Sequence, residues 1–506
     1  MTAEIMRDTA RGAGWVFGWR MATRALGLLS TLTLIRILAP QDFGLVALGS
    51  AFAQTVDALS VIGVEDALIR ERHPTPAMYQ TAFTMNLIRG LSIGAVIAAC
   101  SGPVAAFFAE PRLSPLLLVL AALAATDGLV NIGIVDFRRD FQFQKEFLLN
   151  VIPRLASVFA TVAAALLLQS YWALLVGLAV FRLLRLAGSY AMHPHRPRLT
   201  LTAWRSLISF SLWTWVLAVL AMVRQRADTF VIGRIIGTRD VGLYSIGTEI
   251  ALLPATEIVE PLGRAAYSGF SAAYRSAGAE EMLLRLLATT LVATLPTGLG
   301  LSLMAEPLVR VAMGERWMQA VPLVMVLAPA CCIIAVPTII SMLLQAQGRL
   351  HRVAAVSAAG IALRIAFMIF LLLRIGLVGA AAGTALAMAG ESALMFAAAA
   401  PAPGARLHAL LRDVWRSVLA SLVMAGAIVA AGLGWTGIAA GEAWHTALGR
   451  LCLGTAFGTA VYLATLVLLW QLQGRPRGPE EDYFALLGTA ARRMRPGRRA
   501  TARMVQ

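Results

Sequence analysis

Residues Arg36–Gly49, RILAPQDFGLVALG, and Arg234–Gly247, RIIGTRDVGLYSIG, align without a gap at an offset of 198 residues. They share an Arg, an Ile, an Asp, a Gly-Leu pair and a closing Gly, and each copy stands between two long apolar runs. A phrase written twice in this way marks a structural unit written twice. The number of helices between the copies decides how the two units are oriented.

Composition says what those helices are. Of 506 residues, 59% are hydrophobic and only 14% charged, and mean hydropathy is +0.74. A soluble domain carries roughly half apolar and about a quarter charged residues, so the chain is expected to be a polytopic membrane protein. Its net charge of +16 would suggest nucleic acid in a soluble domain. Here the basic residues fall in short connections between apolar runs, so no nucleic-acid partner is expected. Lys145 is the only lysine, a bias that a GC-rich genome explains and that weakens the meaning of any single Arg.

No cofactor or metal is expected. Cys100, Cys331, Cys332 and Cys452 lie in apolar segments without metal-ligand spacing and read as small buried thiols. His193 and His195, in HPHRPR, read as a solvated loop. No phosphate-binding loop, zincin helix or serine elbow stands in a credible context, and the expectation is a protein that is not an enzyme. Arg20 and Arg24 interrupt the first apolar run, and no small-residue cleavage site precedes a polar domain, so no cleaved signal peptide is expected.

A hydrocarbon core of about 30 Å takes roughly 20 apolar residues at about 1.5 Å each. Runs of that length predict an all-α protein of about fourteen transmembrane helices, near 15–38, 43–64, 82–108, 113–135, 150–168, 171–191, 207–236, 240–262, 282–304, 321–342, 353–374, 376–398, 415–434 and 446–471. Lys and Arg concentrate in short cytoplasmic loops. Arg70, Arg138, Arg139, Lys145, Arg196, Arg198, Arg264, Arg349, Arg352, Arg412 and the Arg-rich stretch from Arg475 to Arg503 fall in one alternating set of connections. The opposite set includes APQD, QSYW and GWTGIAAGEAWH, with no Arg or Lys, and EPLVRVAMGERW, which is mixed. Both termini are therefore expected on the cytoplasmic side of a bacterial inner membrane.

The first copy of the phrase joins helices 1 and 2 and the second joins helices 7 and 8. The repeat unit thus holds six helices, and an even unit keeps its orientation, as in parallel-repeat transporters. The expected layout is a lobe over 1–200, a second over 201–400, an added helix pair over 401–472 and a basic tail over 473–506. In the phrase, Pro40, Asp42 and Gly44 suit a tight turn and the cap of the next helix. Gly376, Gly379 and Gly383 suit close helix packing.

With these features in place, the chain resembles the polysaccharide transporter branch of the multidrug/oligosaccharidyl-lipid/polysaccharide flippase superfamily, the bacterial lipid-linked oligosaccharide flippases. RILAPQDFGLVALG is similar to that family's Arg-x-Leu-x-Pro-x-Asp-Phe/Tyr-Gly phrase, and RADTFVIGRIIGTRDVGLYSIG to its Asp-bearing helix followed by Gly-Leu-Tyr. The resemblance implies two lobes around a central cavity that opens alternately to either side. It also implies a cargo of oligosaccharide on undecaprenyl pyrophosphate, moved to the periplasmic leaflet for capsule, exopolysaccharide or O-antigen assembly. Protein partners would be a polysaccharide polymerase and export machinery.

A charge at the bilayer centre costs at least about 2.5–3.5 kcal/mol on insertion scales, so each intramembrane Arg calls for an explanation. Arg20 and Arg24 share a helix face; Arg24 lies roughly 13 Å and Arg89 roughly 10 Å in from a helix end. Either they snorkel to headgroups or they line a vestibule and pair with pyrophosphate, which suits the guanidinium fork. Arg224 and Arg226 lie roughly 25 Å along helix 7, with Asp228 beyond them. They either reach the far interface and pair with Asp228, or extend an Arg ladder with Asp228 as a proton- or sodium-sensitive partner. Asp57, Asp127, Glu249 and Glu257 are further ion-coupling candidates or, equally, packing partners of nearby arginines, as Arg364 and Glu391 would be for each other. Two other functions stay open: a drug or metabolite exporter of the same superfamily, with an acid-rich cavity, and a membrane-embedded polymerase or glycosyltransferase, which would usually carry a long external loop.

Overall fold

The computed structural model describes residues 18, 21–27, 29–60, 63–71, 73–140, 142–207, 212–259, 262, 279–399, 403–435, 443–474 and 478–481. These residues are helical or in short turns and connections, with no strand among them. Each of the fourteen expected windows contains helix. Among the described residues, eight helices are long and apolar enough to cross a bilayer, and a bent pair would make a ninth. Windows that fail that test include those with polar cargo: the helix Leu212–Ile235 carries Arg224, Arg226, Asp228 and Arg234 within 24 residues.

Two compact units are distinguished, Met1–Ser245 with Ala312–Trp317 and Ile246–Val311 with Met318–Gln506. The first begins with α1, described over 21–27 and 29–37. It continues through α2 (Pro40–Leu59), α3 (Val64–Arg70), α4 (Pro76–Phe107), α5 (Leu113–Asp127), α6 (Val135–Arg139), α7 (Phe143–Leu168), α8 (Trp172–Met192), α9 (Trp204–Leu207), α10 (Leu212–Ile235) and the start of α11 (Thr238–Ala251).

The Asp of the first phrase does what its position suggests. Asp42 Oδ2 accepts a hydrogen bond from the Ala39 amide at 3.3 Å, which closes a cap at the start of α2. Its Oδ1 accepts from the Tyr171 amide at 3.3 Å, tying the α7–α8 connection to the same turn. Pro40 at the first helical turn loses nothing by lacking an N–H there. The phrase also does more than form a turn, because its two copies meet. A Cβ on Gly44 would lie 1.7 Å from the Thr238 carbonyl oxygen, and one on Gly242 would lie 1.9 Å from that of Pro40. Pro40 and Thr238 hold equivalent places in the two copies, as do Gly44 and Gly242, so the contact is reciprocal.

From that crossing α2 runs antiparallel along α10. Leu48 packs at Gly233, Gln54 bonds Arg226, Thr55 Oγ1 lies 3.4 Å from Met222 Sδ, and Trp215 Nε1 donates to the Leu59 carbonyl at 3.3 Å. Leu45, Leu48, Ile93, Ile97, Leu113, Leu116, Leu117 and Leu120 form the core between α2, α4 and α5. Trp317 is fully buried in this unit, edge-on to Phe43 at 5.5 Å, and donates to the Ile35 carbonyl at 2.9 Å.

One expected helix is broken. The window 113–135 holds α5, which stops at Asp127, then a 3-10 turn at Ile132–Ile134 and α6, bent from α5 by 67°. Gly128 ends the helix where α4 passes: its Cβ would lie 2.7 Å from the Asn86 carbonyl, and one on Gly90 would lie 2.9 Å from the Gly128 backbone. The two helices touch backbone to backbone there.

The second unit contains α12 (Ala279–Leu303), α13 (Ala305–Ala312), α14 (Val321–Ile333), α15 (Ala335–Ala346), α16 (Leu350–Ala399), α17 (Pro403–Ala430) and α18 (Trp444–Leu472). α16 is 50 residues long and is interrupted at Ile375 and Gly376, where Gly376 has φ +67°. It is two helices joined by a tight turn, as the expected windows 353–374 and 376–398 require. Gly379 and Gly383 then pack directly on the Leu371 and Phe367 carbonyls of the first limb. Tyr462 donates to the Val292 carbonyl at 2.7 Å and meets Ser417 Oγ at 2.9 Å, pinning α18 and α17 to α12. Arg416 grips Glu480 with two hydrogen bonds of 2.6 and 2.9 Å, both side chains being buried.

Candidate polar cavity of the first unit

Within the first unit α2, α4, α5 and α8 enclose a cavity of about 250 Å³ whose lining includes Asp57, Arg89, Asp127, Arg182, Arg185 and Asn86. The close crossing of α4 and α5 at Gly90 and Gly128 forms part of its wall, with Ile93 and Leu120 as an apolar patch. Since the rest of the bundle is packed with Leu and Ile, the ionic groups gather where they answer one another.

Two ion pairs organise the cavity. Arg89 pairs with Asp57 across α4 and α2, and its Nε donates to Ser60 Oγ at 3.2 Å. Arg182 Nη1 lies 2.7 Å from Asp127 Oδ2, joining α8 to α5. Both carboxylates remain open to the cavity: the Asp57 and Asp127 side chains are 54% and 46% exposed. Arg185, one turn beyond Arg182, shares the field of Asp127. Its Nε is buried without a hydrogen-bond acceptor among the described residues, and Arg182 Nη1 is not aligned for a hydrogen bond despite its ion pair.

Of the residues singled out in the sequence, the cavity collects Asp57, Arg89 and Asp127. Arg226 reaches its edge through a hydrogen bond to Gln54, which lines the cavity. Arg24 is exposed on α1 and Arg224 half-buried on α10. Asp228 is buried and accepts a hydrogen bond of 2.9 Å from Tyr244, a member of the second phrase. Glu249 on α11 and Glu257 in a π-turn at Ala255–Val259 are exposed in the second unit. Arg20 lies outside the described residues.

Arg182 and Arg185 escaped the sequence reading, although FRLLRLAG places them a turn apart inside an apolar helix, the same signal that singled out Arg20 and Arg24. His193 and His195 correct the expectation of a solvated loop. Both are half-buried; His193 Nε2 lies 3.3 Å from Asp136 Oδ2, and Asn131 Nδ2 donates to the His195 carbonyl at 2.8 Å. The strand of chain after α8 is thereby strapped to the start of α6. The His195 imidazole, outside the spanning helices, is held below its ordinary value of 6.5, first by burial and then by His193 beside it. Among the described residues no group of three or more His, Cys, Asp or Glu is placed to hold a metal ion.

Comparison with known proteins agrees with this architecture. The chain is 26% identical to the succinoglycan biosynthesis transport protein ExoT of Rhizobium meliloti (strain 1021), covering 65% of this chain and 67% of that one. It is 22% identical to the lipopolysaccharide biosynthesis protein WzxC of Escherichia coli (strain K12), over 68% of this chain and 71% of that one. Its fold is similar to the inward closed conformation of the lipid II flippase MurJ, with a TM-score of 0.71 at 15% identity, covering 91% of this chain and 100% of that one. It is also similar to a multidrug resistance MATE family transporter of the MOP superfamily, with a TM-score of 0.59 at 15% identity, covering 77% of this chain and 96% of that one. A family model described as polysaccharide biosynthesis protein matches residues 33–322. With more than half of its length matched, this multi-pass membrane chain belongs to the polysaccharide biosynthesis protein family.

Proposed function

We propose that the protein flips an oligosaccharide linked to undecaprenyl pyrophosphate from the cytoplasmic to the periplasmic leaflet of a bacterial inner membrane, for exopolysaccharide, capsule or O-antigen assembly. The observation that supports it best is a polar, ion-paired cavity inside an apolar helical bundle. Such a cargo must take its sugars and pyrophosphate past about 30 Å of hydrocarbon while its prenyl chain stays in lipid. A wall of Arg and Asp can replace the water that sugar hydroxyls give up.

In this reading fourteen crossings form two co-oriented six-helix lobes over 1–200 and 201–400, with an added pair over 401–472 and both termini cytoplasmic. Arg24, Arg224 and Arg226 meet the pyrophosphate; Arg20, named with them from the sequence, lies outside the described residues. Asp228, buried and bonded by the Tyr244 hydroxyl, is the best-placed carboxylate for proton or sodium coupling. Asp57 and Asp127 serve coupling only if they leave their arginines, while Glu249 and Glu257 are exposed and come after Asp228 as candidates.

Deletion of the gene tests the reading. Loss of a surface polysaccharide, with its lipid-linked precursor accumulating on the cytoplasmic leaflet, is the expected result. Unchanged polymer and no precursor would overturn it.

A further inference from the structure

We infer that the cavity between α2, α4, α5 and α8 receives one uncharged sugar ring of the cargo, and not its pyrophosphate. The inference rests on the flippase reading above and assigns this cavity a part of the cargo.

Charge balance is the first argument. Arg89, Arg182 and Arg185 are matched by Asp57, Asp127 and Glu65 along the same lining. Pyrophosphate carries several negative charges and needs an excess of guanidinium; entering here, it would face as many carboxylates as arginines. A sugar hydroxyl both donates and accepts. It can bridge the half-open carboxylate of Asp57 or Asp127 and a neighbouring guanidinium without parting either ion pair.

The hydrogen-bonding groups of the lining are the second. Arg89, Arg182 and Arg185 bring guanidinium donors, and Asp57 and Asp127 bring half-exposed carboxylate acceptors, to one wall, although Arg185 Nε and Arg182 Nη1 are themselves sealed from the cavity. Gln54 and Asn86 add amides at the rim, and Ile93 and Leu120 offer a small apolar surface suited to the C–H face of a ring. Size is the third: about 250 Å³ lies below the usual range of roughly 300–1,000 Å³ for drug-sized ligands. A single sugar ring is the part of the cargo nearest to that size.

The test uses the full-length protein in lipid nanodiscs and measures affinity for undecaprenyl pyrophosphate alone and for the same lipid carrying one glucose, galactose or N-acetylglucosamine. Wild type is expected to prefer at least one sugar-bearing probe by about tenfold or more, the scale of one charge-assisted hydrogen bond. Arg185→Gln and, separately, Asn86→Ala are expected to erase that preference while leaving affinity for the sugar-free lipid unchanged. Two substitutions on different helices guard against a folding defect in either. Equal weakening of sugar-bearing and sugar-free probes, a preference that both variants retain, or no preference in wild type would overturn the sugar assignment alone. Failure of wild type to bind any of these lipids would overturn the flippase reading and the assignment with it.

Discussion

Gly44 and Gly242 sit at equivalent places in the two copies of one phrase, and each lies against the first-turn carbonyl of the other copy, too close for a Cβ. The contact gives the repeat a physical purpose. Each copy of the phrase supplies one glycine and one carbonyl, so a single surface written twice closes on itself, as the faces of a two-fold dimer do.

Adding a methyl group should therefore be costly at either position. Gly44→Ala and Gly242→Ala are each expected to lower stability by about 1–3 kcal/mol through overpacking against backbone. The double variant should lose less than the sum, because one contact is broken twice. Gly426→Ala is the control: a Cβ there meets nothing within 4 Å, and the exchange inside a helix should stabilise by up to about 1 kcal/mol. Unfolding of the purified proteins in denaturant measures all four.

Asp127 and Arg182 should behave as a pair. Their side chains are 46% and 25% exposed, so screening reduces the coupling expected of them to about 1 kcal/mol. A double-mutant cycle of Asp127→Asn and Arg182→Gln on thermal stability checks this, with the double variant less damaged than either single change predicts. The cycle should also show Asp127→Asn as the more harmful single change, since it leaves Arg182 and Arg185 facing each other.

The strap after α8 should weaken in acid. Burial holds the His195 pKa below 6.5, so the folded protein binds its proton less readily than the unfolded chain. Stability from this group is complete above about pH 6.5 and is lost as pH falls through that value toward the folded pKa. His195→Asn removes the titration. Between pH 7.5 and pH 5.5 the melting temperature of wild type should fall further than that of the variant, and differential scanning fluorimetry reads the difference.

On the proposed reading, the intramembrane arginines outside the cavity carry the pyrophosphate role. Arg24→Ala and Arg224→Ala are expected to abolish polysaccharide export with the protein still present in the membrane, as immunoblots of membrane fractions and surface polymer would show. Gln54→Ala, which frees the Arg226 side chain and removes an amide from the cavity lining, should reduce export without ending it.

Much of this architecture was legible because bilayer thickness turns apolar run length into helix positions. Even the turn at Gly376 was readable, since a run twice the bilayer thickness must fold back. The break after Asp127 was not: it depends on Gly90 of another helix reaching Gly128, a long-range approach that no local pattern records. The cavity was half-legible for a similar reason. Charge inside apolar runs marks Asp57, Arg89 and Asp127, but helix rotation decides which charges meet. Arg182 and Arg185 carried the same signal and were missed, and Glu249 and Glu257 carried it and lie elsewhere. The histidines misled because a loop rich in Pro and Arg reads as solvated until Asp136 and Asn131 are seen to hold it.

Translocation in vitro tests the central claim most directly. Proteoliposomes containing the purified protein and the lipid-linked saccharide extracted from cells lacking the gene would be probed with a membrane-impermeant sugar-modifying enzyme. The account predicts that protected inner-leaflet saccharide becomes accessible with wild type and stays protected with Arg24→Ala or in empty liposomes. Equal accessibility in empty and wild-type liposomes would contradict it.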